Sequence, residues 1–316
     1  MGIETNSPAP LVVGIDIGAT KTSMAFLGGN RLQVFFRGAT PQDSSEALDM
    51  IVGALAQAEL PGTPAAIGIG CPGPLDSESG VVLSPPYLPR WDNFALGPAL
   101  SDRFGVPVVL ENDANAGALG EALHGGGRGA RTVFYMTISS GIGCGIVIDG
   151  RIHRGRHGLA GEVWAFYPGS FAGIETPNVN DLASGTGMVM QARKRMARGE
   201  QTALPADGLD MRQILRAAAG GDPLARAVME DSQRTLAATI SAAVHVLAPD
   251  MVVLGGGLAA EECGFVESIQ ERVAGMIGLS ALAETPIRRA ELWDCAVLYG
   301  AIELGRALWK DRRIIE

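Results

Sequence analysis

The sequence predicts an α/β fold made of wound strand–helix units, and three observations carry the prediction. Residues 106–110 (VPVVL) are a β-branched run of the kind that fills a buried strand, and they lead into an alanine-rich helical stretch at 114–123. An amphipathic helical spacing at 44–57 is followed by an apolar strand at 65–70, so the two element types alternate. Forty-three glycines without a collagen period imply tight turns and close backbone approaches throughout.

Composition sets the outer limits. A chain of 316 residues has room for two domains, and 47% hydrophobic against 19% charged residues supplies a globular core. The net charge of −9 disfavours a generic nucleic-acid or acidic-membrane surface, although a local basic spot can still hold an anion. Cys71, Cys144, Cys263 and Cys295 form no CxxC pair and no metal-ligand spacing, and read as small buried hydrophobes. No apolar segment follows the N-terminus, and the longest apolar stretch, 235–248, is short and contains His245. Neither export nor membrane insertion is expected, which leaves a cytoplasmic protein.

In chain order, residues 1–10 (MGIETNSPAP) read as a disordered leader. Residues 11–21 (LVVGIDIGATK) are a strand running into Asp16 and a glycine turn, a second strand follows at 22–27, and 28–30 turn into a third. Gly18 lets backbone N–H groups approach a phosphate, Thr20 and Lys21 add donors, and Asp16 suits a metal-bound water. The bland reading of the same residues is a hairpin with a polar tip. The Pro/Gly cluster 71–74 with Asp76 is a rigid loop before a short strand at 81–83. Residues 84–94 (SPPYLPRWDNF) are irregular, either a pocket wall or a surface loop pinned by Trp91.

Residues 110–121 (LENDANAGALGE) put a carboxylate–amide–carboxylate cluster at a strand-to-helix junction, the edge of an open α/β sheet where ligands bind. Asn112 and Asp113 either build a site there or merely cap the helix. Residues 125–131 (GGGRGAR) read as a flexible link. Further on, helices are expected at 188–198, 211–219, 224–247 and 265–276, a strand at 287–292, and a small-residue helix at 298–308. His245 reads as a satisfied core or interface histidine, and His124, His153 and His157 as solvated ones. No internal repeat is visible.

The order and spacing of DIGATK, GCPGPLD…GVV, PYLPRW and PVVLENDANAGALGE resemble the ROK family of sugar kinases and sugar-responsive repressors. The likeness extends from about Leu11 to the C-terminus. Residues 132–150 (TVFYMTISSGIGCGIVIDG) resemble the family's second phosphate loop, with 139–145 as the turn. Residues 155–162 (GRHGLAGE) resemble its sugar-binding loop, and 251–258 (MVVLGGGL) its adenosine-binding turn.

The resemblance implies a two-domain actin-like ATPase (ribonuclease H-like) fold closing on a cleft. The smaller domain would comprise 11–120, with the C-terminal helix 298–310 packed back on it, and the larger 121–297. It implies an ATP-dependent kinase for a hexose or N-acetylhexosamine, with Asp113 as general base and Asn112 and Glu162 on the sugar hydroxyls. Gly18, Thr20 and Lys21, with Ser139, Ser140 and Gly141, would form the phosphate loops, and Gly255, Gly256 and Gly257 the adenosine turn. ATP and Mg²⁺, the latter held through water by Asp16, are the expected cofactors, and a homodimer the expected assembly.

The chain also departs from the family. Ala165 stands where a histidine that touches sugar and zinc is common, and residues 167–181 (YPGSFAGIETPNVND) lack the cysteines of the zinc loop, so no structural zinc is predicted. The second sugar-contacting glutamate has no clear counterpart: Glu175 is offset, and Asn180 or Asp181 fits better. His157 is a candidate replacement contact, and Tyr87 replaces an asparagine. Two alternatives remain beside the kinase: a non-catalytic sugar sensor, and a kinase using polyphosphate. A DNA-binding repressor is disfavoured by the acidic charge and by the ten residues ahead of Leu11.

Overall fold

The computed structural model describes residues 10–168, 177–261 and 264–315. Residues 1–9 of the expected leader, Glu175, Cys263 and the middle of the 167–181 loop lie outside them. The chain divides into two compact units, the first comprising 1–120 with 295–316 and the second 121–294.

The first unit opens with a meander of β1 (Val12–Ile17), β2 (Lys21–Gly28) and β3 (Arg31–Ala39). Helix α1 (Ser44–Gln57) follows, started by Asp43, whose carboxylate accepts the Ser45 N–H. Then come β4 (Ala66–Cys71), the small ribbon of β5 (Leu75–Asp76) and β6 (Val81–Val82), α2 (Leu96–Phe104), β7 (Val108–Asn112) and the start of α3 (Asp113–His124). The sheet order is β3-β2-β1-β4-β7, antiparallel through the meander and parallel from β1 onward. Every residue of β4 is buried, as expected of a central parallel strand. Within 84–94, Trp91 is fully buried, donates to the Pro41 carbonyl and meets Phe94 edge-on, so this segment is anchored in the core.

The second unit repeats the plan. Strands β8 (Thr132–Ile138), β9 (Ile142–Ile148) and β10 (Arg151–Ile152) form its meander. Helices α4 (Val179–Ala183), α5 (Gly185–Ala197), α6 (Met211–Ala219) and α7 (Pro223–Leu247) come next. Then follow β11 (Met251–Gly255), α8 (Gly256–Ala260), α9 (Phe265–Met276), α10 (Ser280–Ala283) and β12 (Ile287–Arg289). Its sheet order, β10-β9-β8-β11-β12, has the same sequence of antiparallel and parallel pairs as the first. The architecture therefore repeats although the sequence shows no repeat. The β1–β2 and β8–β9 turns occupy equivalent places.

The final helix, α11 (Ala296–Ile315), belongs to the first unit and packs on β1 and β4. Glycines make that contact possible. A Cβ at Gly68 on β4 would stand 1.8 Å from the Ala301 carbonyl oxygen, and one at Gly14 on β1 2.7 Å from that of Leu298.

Five local expectations change. Strand β9 begins at Ile142, so the β8–β9 turn is three residues rather than seven. Helix α5 starts at Gly185, three residues before the apolar spacing begins, because Ser184 caps it. Strand β12 stops at Arg289, and α11 runs well past 308. His245 is exposed, with Nδ1 2.7 Å from the Ser241 carbonyl, because α7 buries the face carrying Ser241 and Val244 instead. No described helix is long and apolar enough to cross a membrane.

Candidate active site

In the first unit the functional side chains collect at the carboxyl edge of the parallel strands. Asp16 on β1 is in register with Gly70 on β4, which pairs with Glu111 on β7, and Cys71 pairs with Asn112. Asp113 begins α3 immediately beyond. Burial pushes the Cys71 thiol far up, and the carboxylates of Asp113 and Asp16 push it further, so the thiol stays protonated.

The polar turn between β7 and α3 is held from both sides. Asn112 Oδ1 accepts the N–H groups of Ala114 (2.9 Å) and Asn115 (3.3 Å), and Asp113 Oδ1 accepts that of Ala114 (2.8 Å). Beneath them Glu111, almost fully buried, takes the Asn112 N–H at 3.0 Å and the Asn115 amide at 3.1 Å. Capping thus occupies the Asn112 oxygen and leaves its NH₂ beside Gly73. Cap and site are one arrangement.

The β1–β2 turn is shaped by its own backbone. The Gly18 N–H donates to the Lys21 carbonyl (2.9 Å), while Thr40 donates its hydroxyl to the Gly18 carbonyl (2.7 Å) and its N–H to that of Thr20 (3.1 Å). Gly18 therefore closes the turn, and Thr20 and Lys21 stand exposed at its tip.

In the second unit the equivalent tip carries Ser139, Ser140 and Gly141. The carbonyls of Ser139 and Ser140 accept from Gly185 N (2.8 Å) and Thr186 N (3.2 Å) at the start of α5, and Asn180 Oδ1 accepts the Ile142 N–H (3.2 Å). Ser139 and Ser140 border a cavity of about 940 Å³. Its walls include the apolar Val189, Met190, Leu209 and Met211, and its rim the cationic Arg193, Lys194 and Arg212. Of Gly255, which ends β11, and Gly256 and Gly257, which open α8, only Gly257 reaches it. Gly255 and Gly256 are glycine because β8 passes too close: added Cβ atoms would lie 2.6 Å from the Tyr135 hydroxyl and 2.4 Å from the Ile138 carbonyl oxygen. The apolar lining from α5, α6 and Leu209 before α6 has no distinct signal in the sequence, because its helical residues follow ordinary amphipathic spacing.

Glu162 lies exposed after Gly161, whose positive φ lets the chain pass against Cys144, and its carboxylate accepts the Trp164 indole N–H. Burial first, then Glu162, raises the Cys144 thiol. His157, at φ 57°, accepts the Arg156 Nε–H on Nε2 at 3.0 Å. Asp181 is half-buried in α4, with its N–H on Asn178 Oδ1 and its carbonyl accepting from Gln191. Among the described residues no three of His, Cys, Asp or Glu group as metal ligands.

Paired sheets of one strand order, each with a glycine-bearing hairpin at the equivalent turn, define the two-domain actin-like ATPase class of α/β proteins. Within that class the chain belongs to the ROK family, whose model matches residues 12–308. It is 32% identical over 302 residues to the bifunctional enzyme NanE/NanK of Brucella melitensis, covering 94% of this chain and 54% of that enzyme. The chain thus spans about half the length of that relative. Among solved structures, a ROK hexokinase from Thermus thermophilus matches with a TM-score of 0.81 and 32% identity, covering 95% of this chain and 99% of that one. A ROK glucokinase from Streptomyces griseus, in complex with glucose and AMPPNP, matches with a TM-score of 0.77 and 31% identity over 94% and 99% of the two chains.

Proposed function

We propose that this chain is a carbohydrate kinase that transfers the γ-phosphoryl group of ATP to a hydroxyl of a hexose or N-acetylhexosamine, with Asp113 as general base. The observation that carries the reading is the placement of Asp16 near the end of β1 and of Asp113 just past the end of β7, both at the carboxyl edge of the first sheet. The likeness to a glucokinase that binds glucose and AMPPNP supports it.

Phosphoryl transfer asks for a positioned base, donors for the phosphate oxygens and charge neutralisation, with little covalent chemistry. In this reading Asp113 accepts the proton of the attacking hydroxyl. The Asn112 NH₂, freed by the capping of its oxygen, donates to a neighbouring sugar hydroxyl. Glu162 accepts from the sugar through the oxygen that Trp164 does not hold, and His157, Glu175 and Asp181 are the further candidate contacts. Thr20 and Lys21 in the first unit, and the backbone of Ser139, Ser140 and Gly141 in the second, meet the donor phosphates.

Asp16, a single hard carboxylate, suits a Mg²⁺ ion that keeps most of its waters. Such an ion, when bound, would neutralise charge on the donor phosphates. The apolar wall of Val189, Met190, Leu209 and Met211 suits a nucleoside and gives polyphosphate nothing to bury, which favours ATP as donor.

The test is ADP release in the presence of ATP and Mg²⁺ with glucose, mannose, fructose, allose, N-acetylglucosamine or N-acetylmannosamine. Asp113→Asn is expected to lower turnover about a hundredfold or more, the scale of losing a general base, with the circular dichroism spectrum unchanged. Near-normal turnover in that variant rejects the assignment of the base. Sugar-induced thermal stabilisation without turnover across the panel supports the sensor reading instead.

A further inference from the structure

We infer that Thr186 is a positioning residue for the donor phosphate loop, acting through a one-directional chain of hydrogen bonds that fixes the Ser140–Gly141 peptide. The inference rests on the kinase reading and adds a residue that touches no reacting atom.

The chain starts at the backbone of α5. The Gly187 N–H donates to Ser184 Oγ at 3.0 Å, Ser184 Oγ lies 3.1 Å from Thr186 Oγ1, and Thr186 Oγ1 donates to the Ser140 carbonyl at 2.7 Å. A hydroxyl has one proton. Because Thr186 spends its proton on Ser140, the proton between the two hydroxyls belongs to Ser184. Every link therefore points the same way, and each bond polarises the next. Ser184, at the head of the chain, is fully buried and so cannot turn to water.

The consequence falls on the loop. The Ser140 carbonyl receives two donors, Thr186 Oγ1 and the Thr186 N–H at 3.2 Å, which use both of its lone pairs. In a planar trans peptide the C=O and the following N–H point in opposite directions. Holding the Ser140 oxygen on α5 thus aims the Gly141 N–H away from α5, and the Gly185 bond to the Ser139 oxygen does the same for the Ser140 N–H. A flipped Ser140–Gly141 peptide would present a carbonyl oxygen where the N–H now points, and an oxygen repels phosphate. Thr186 also borders the cavity, together with Val189 and Met190 from the same helix, so the helix that lines the nucleoside wall also sets the loop.

Thr186→Val removes the hydroxyl from an exposed side chain, and Thr186→Ser keeps it. With sugar saturating, Thr186→Val is expected to raise the KM for ATP about three- to tenfold, the scale of one lost hydrogen bond. The KM for sugar and the melting temperature without nucleotide should stay at wild-type values, and Thr186→Ser should behave as wild type. The thermal shift produced by AMPPNP should shrink in the valine variant alone.

A wild-type ATP KM and AMPPNP shift in Thr186→Val overturn the inference. So does an equal rise in both KM values with a lowered melting temperature, which marks a general packing role. If the wild-type chain phosphorylates no sugar, the kinase reading falls while the AMPPNP shifts still decide the role of Thr186. No AMPPNP shift in the wild-type chain overturns both.

Discussion

At the scale of single residues, side chains here serve the backbone before they serve a ligand. Asp222 is a direct case. Its Oδ1 accepts the Ala225 N–H at the start of α7, and its Oδ2 accepts the Ala203 N–H at 2.7 Å and the Thr202 hydroxyl at 2.8 Å. Burial works to raise its pKa, but these bonds prevail and hold it below the ordinary value. A carboxylate with a lower pKa in the folded state contributes stability above the unfolded pKa of about 4, and that contribution is lost as pH falls through the folded value. Asp222→Ala should therefore cost about 1 kcal/mol at pH 7, the worth of an N-cap, and the gap from wild type should narrow below pH 4. Urea titrations at pH 7 and pH 3 check this, and a gap that widens in acid contradicts it. Asn112 and Asp113 follow the same logic. The residue types named both a cap and a site, and the two readings compete only until one sees that Asn112 caps with its oxygen and keeps its NH₂.

At the scale of elements, legibility tracked the presence of end signals. Helices α1, α6 and α9 lie at the expected residues, and α1 and α6 carry side-chain caps, α6 with a full capping box from Asp210 and Gln213. Helix α2 lacks such signals at its start. Its N-cap is Ala95, which has no side chain to satisfy the first N–H groups, and Gly97 and Pro98 stand in its first turn. The β8–β9 turn is shorter than its glycines suggest, because Gly143 and Gly145 resemble turn residues but lie in a paired strand. Close approach is the other rule of this scale. Gly68→Ala would drive a methyl into the Ala301 backbone of α11, and neither β4 nor the helix can yield without disturbing the sheet. We expect a loss of about 3 kcal/mol or more, a severe case of overpacking, read as a fall of roughly 6–12 °C in Tm. A melting point within 2 °C of wild type would show that the helix backs away freely.

At the scale of the whole molecule, the chain passes into the second unit within α3 and leaves it just before α11. Glu121 stands at the first of these passages with its carboxylate fully buried. It accepts the N–H groups of Gly126 (2.8 Å), Glu291 (3.0 Å) and Leu292 (2.8 Å), so residues at the beginning and the end of the second unit are fastened to one charge. Nothing larger than glycine fits at 125, where a Cβ would come 2.1 Å from a Glu121 oxygen. Glu121→Gln would turn an NH₂ toward backbone donors and leave at least one of the three N–H groups unmatched. Its expected cost is about 3 kcal/mol in a denaturant melt, with retained secondary structure. An unchanged melt would mean that water replaces the lost acceptor.

By itself, the sequence determined the α/β class, the position of most strands and helices, the family, and the residue types that phosphoryl transfer needs. These properties are carried by local periodicity, end signals and motif order. The tertiary structure decided what those types do. It brought Asp16 and Asp113 to one edge of a sheet, divided the glycines of the β11–α8 junction into two that make room for β8 and one that borders a cavity, and enlisted Thr186 to hold a loop 46 residues away in sequence. It also repeated one strand order in two units that share no visible sequence repeat. The physical reason is that hydrogen-bond partners and close approaches are set by which strands and helices become neighbours. That choice is made by burial over the whole chain, and no window of the sequence contains it.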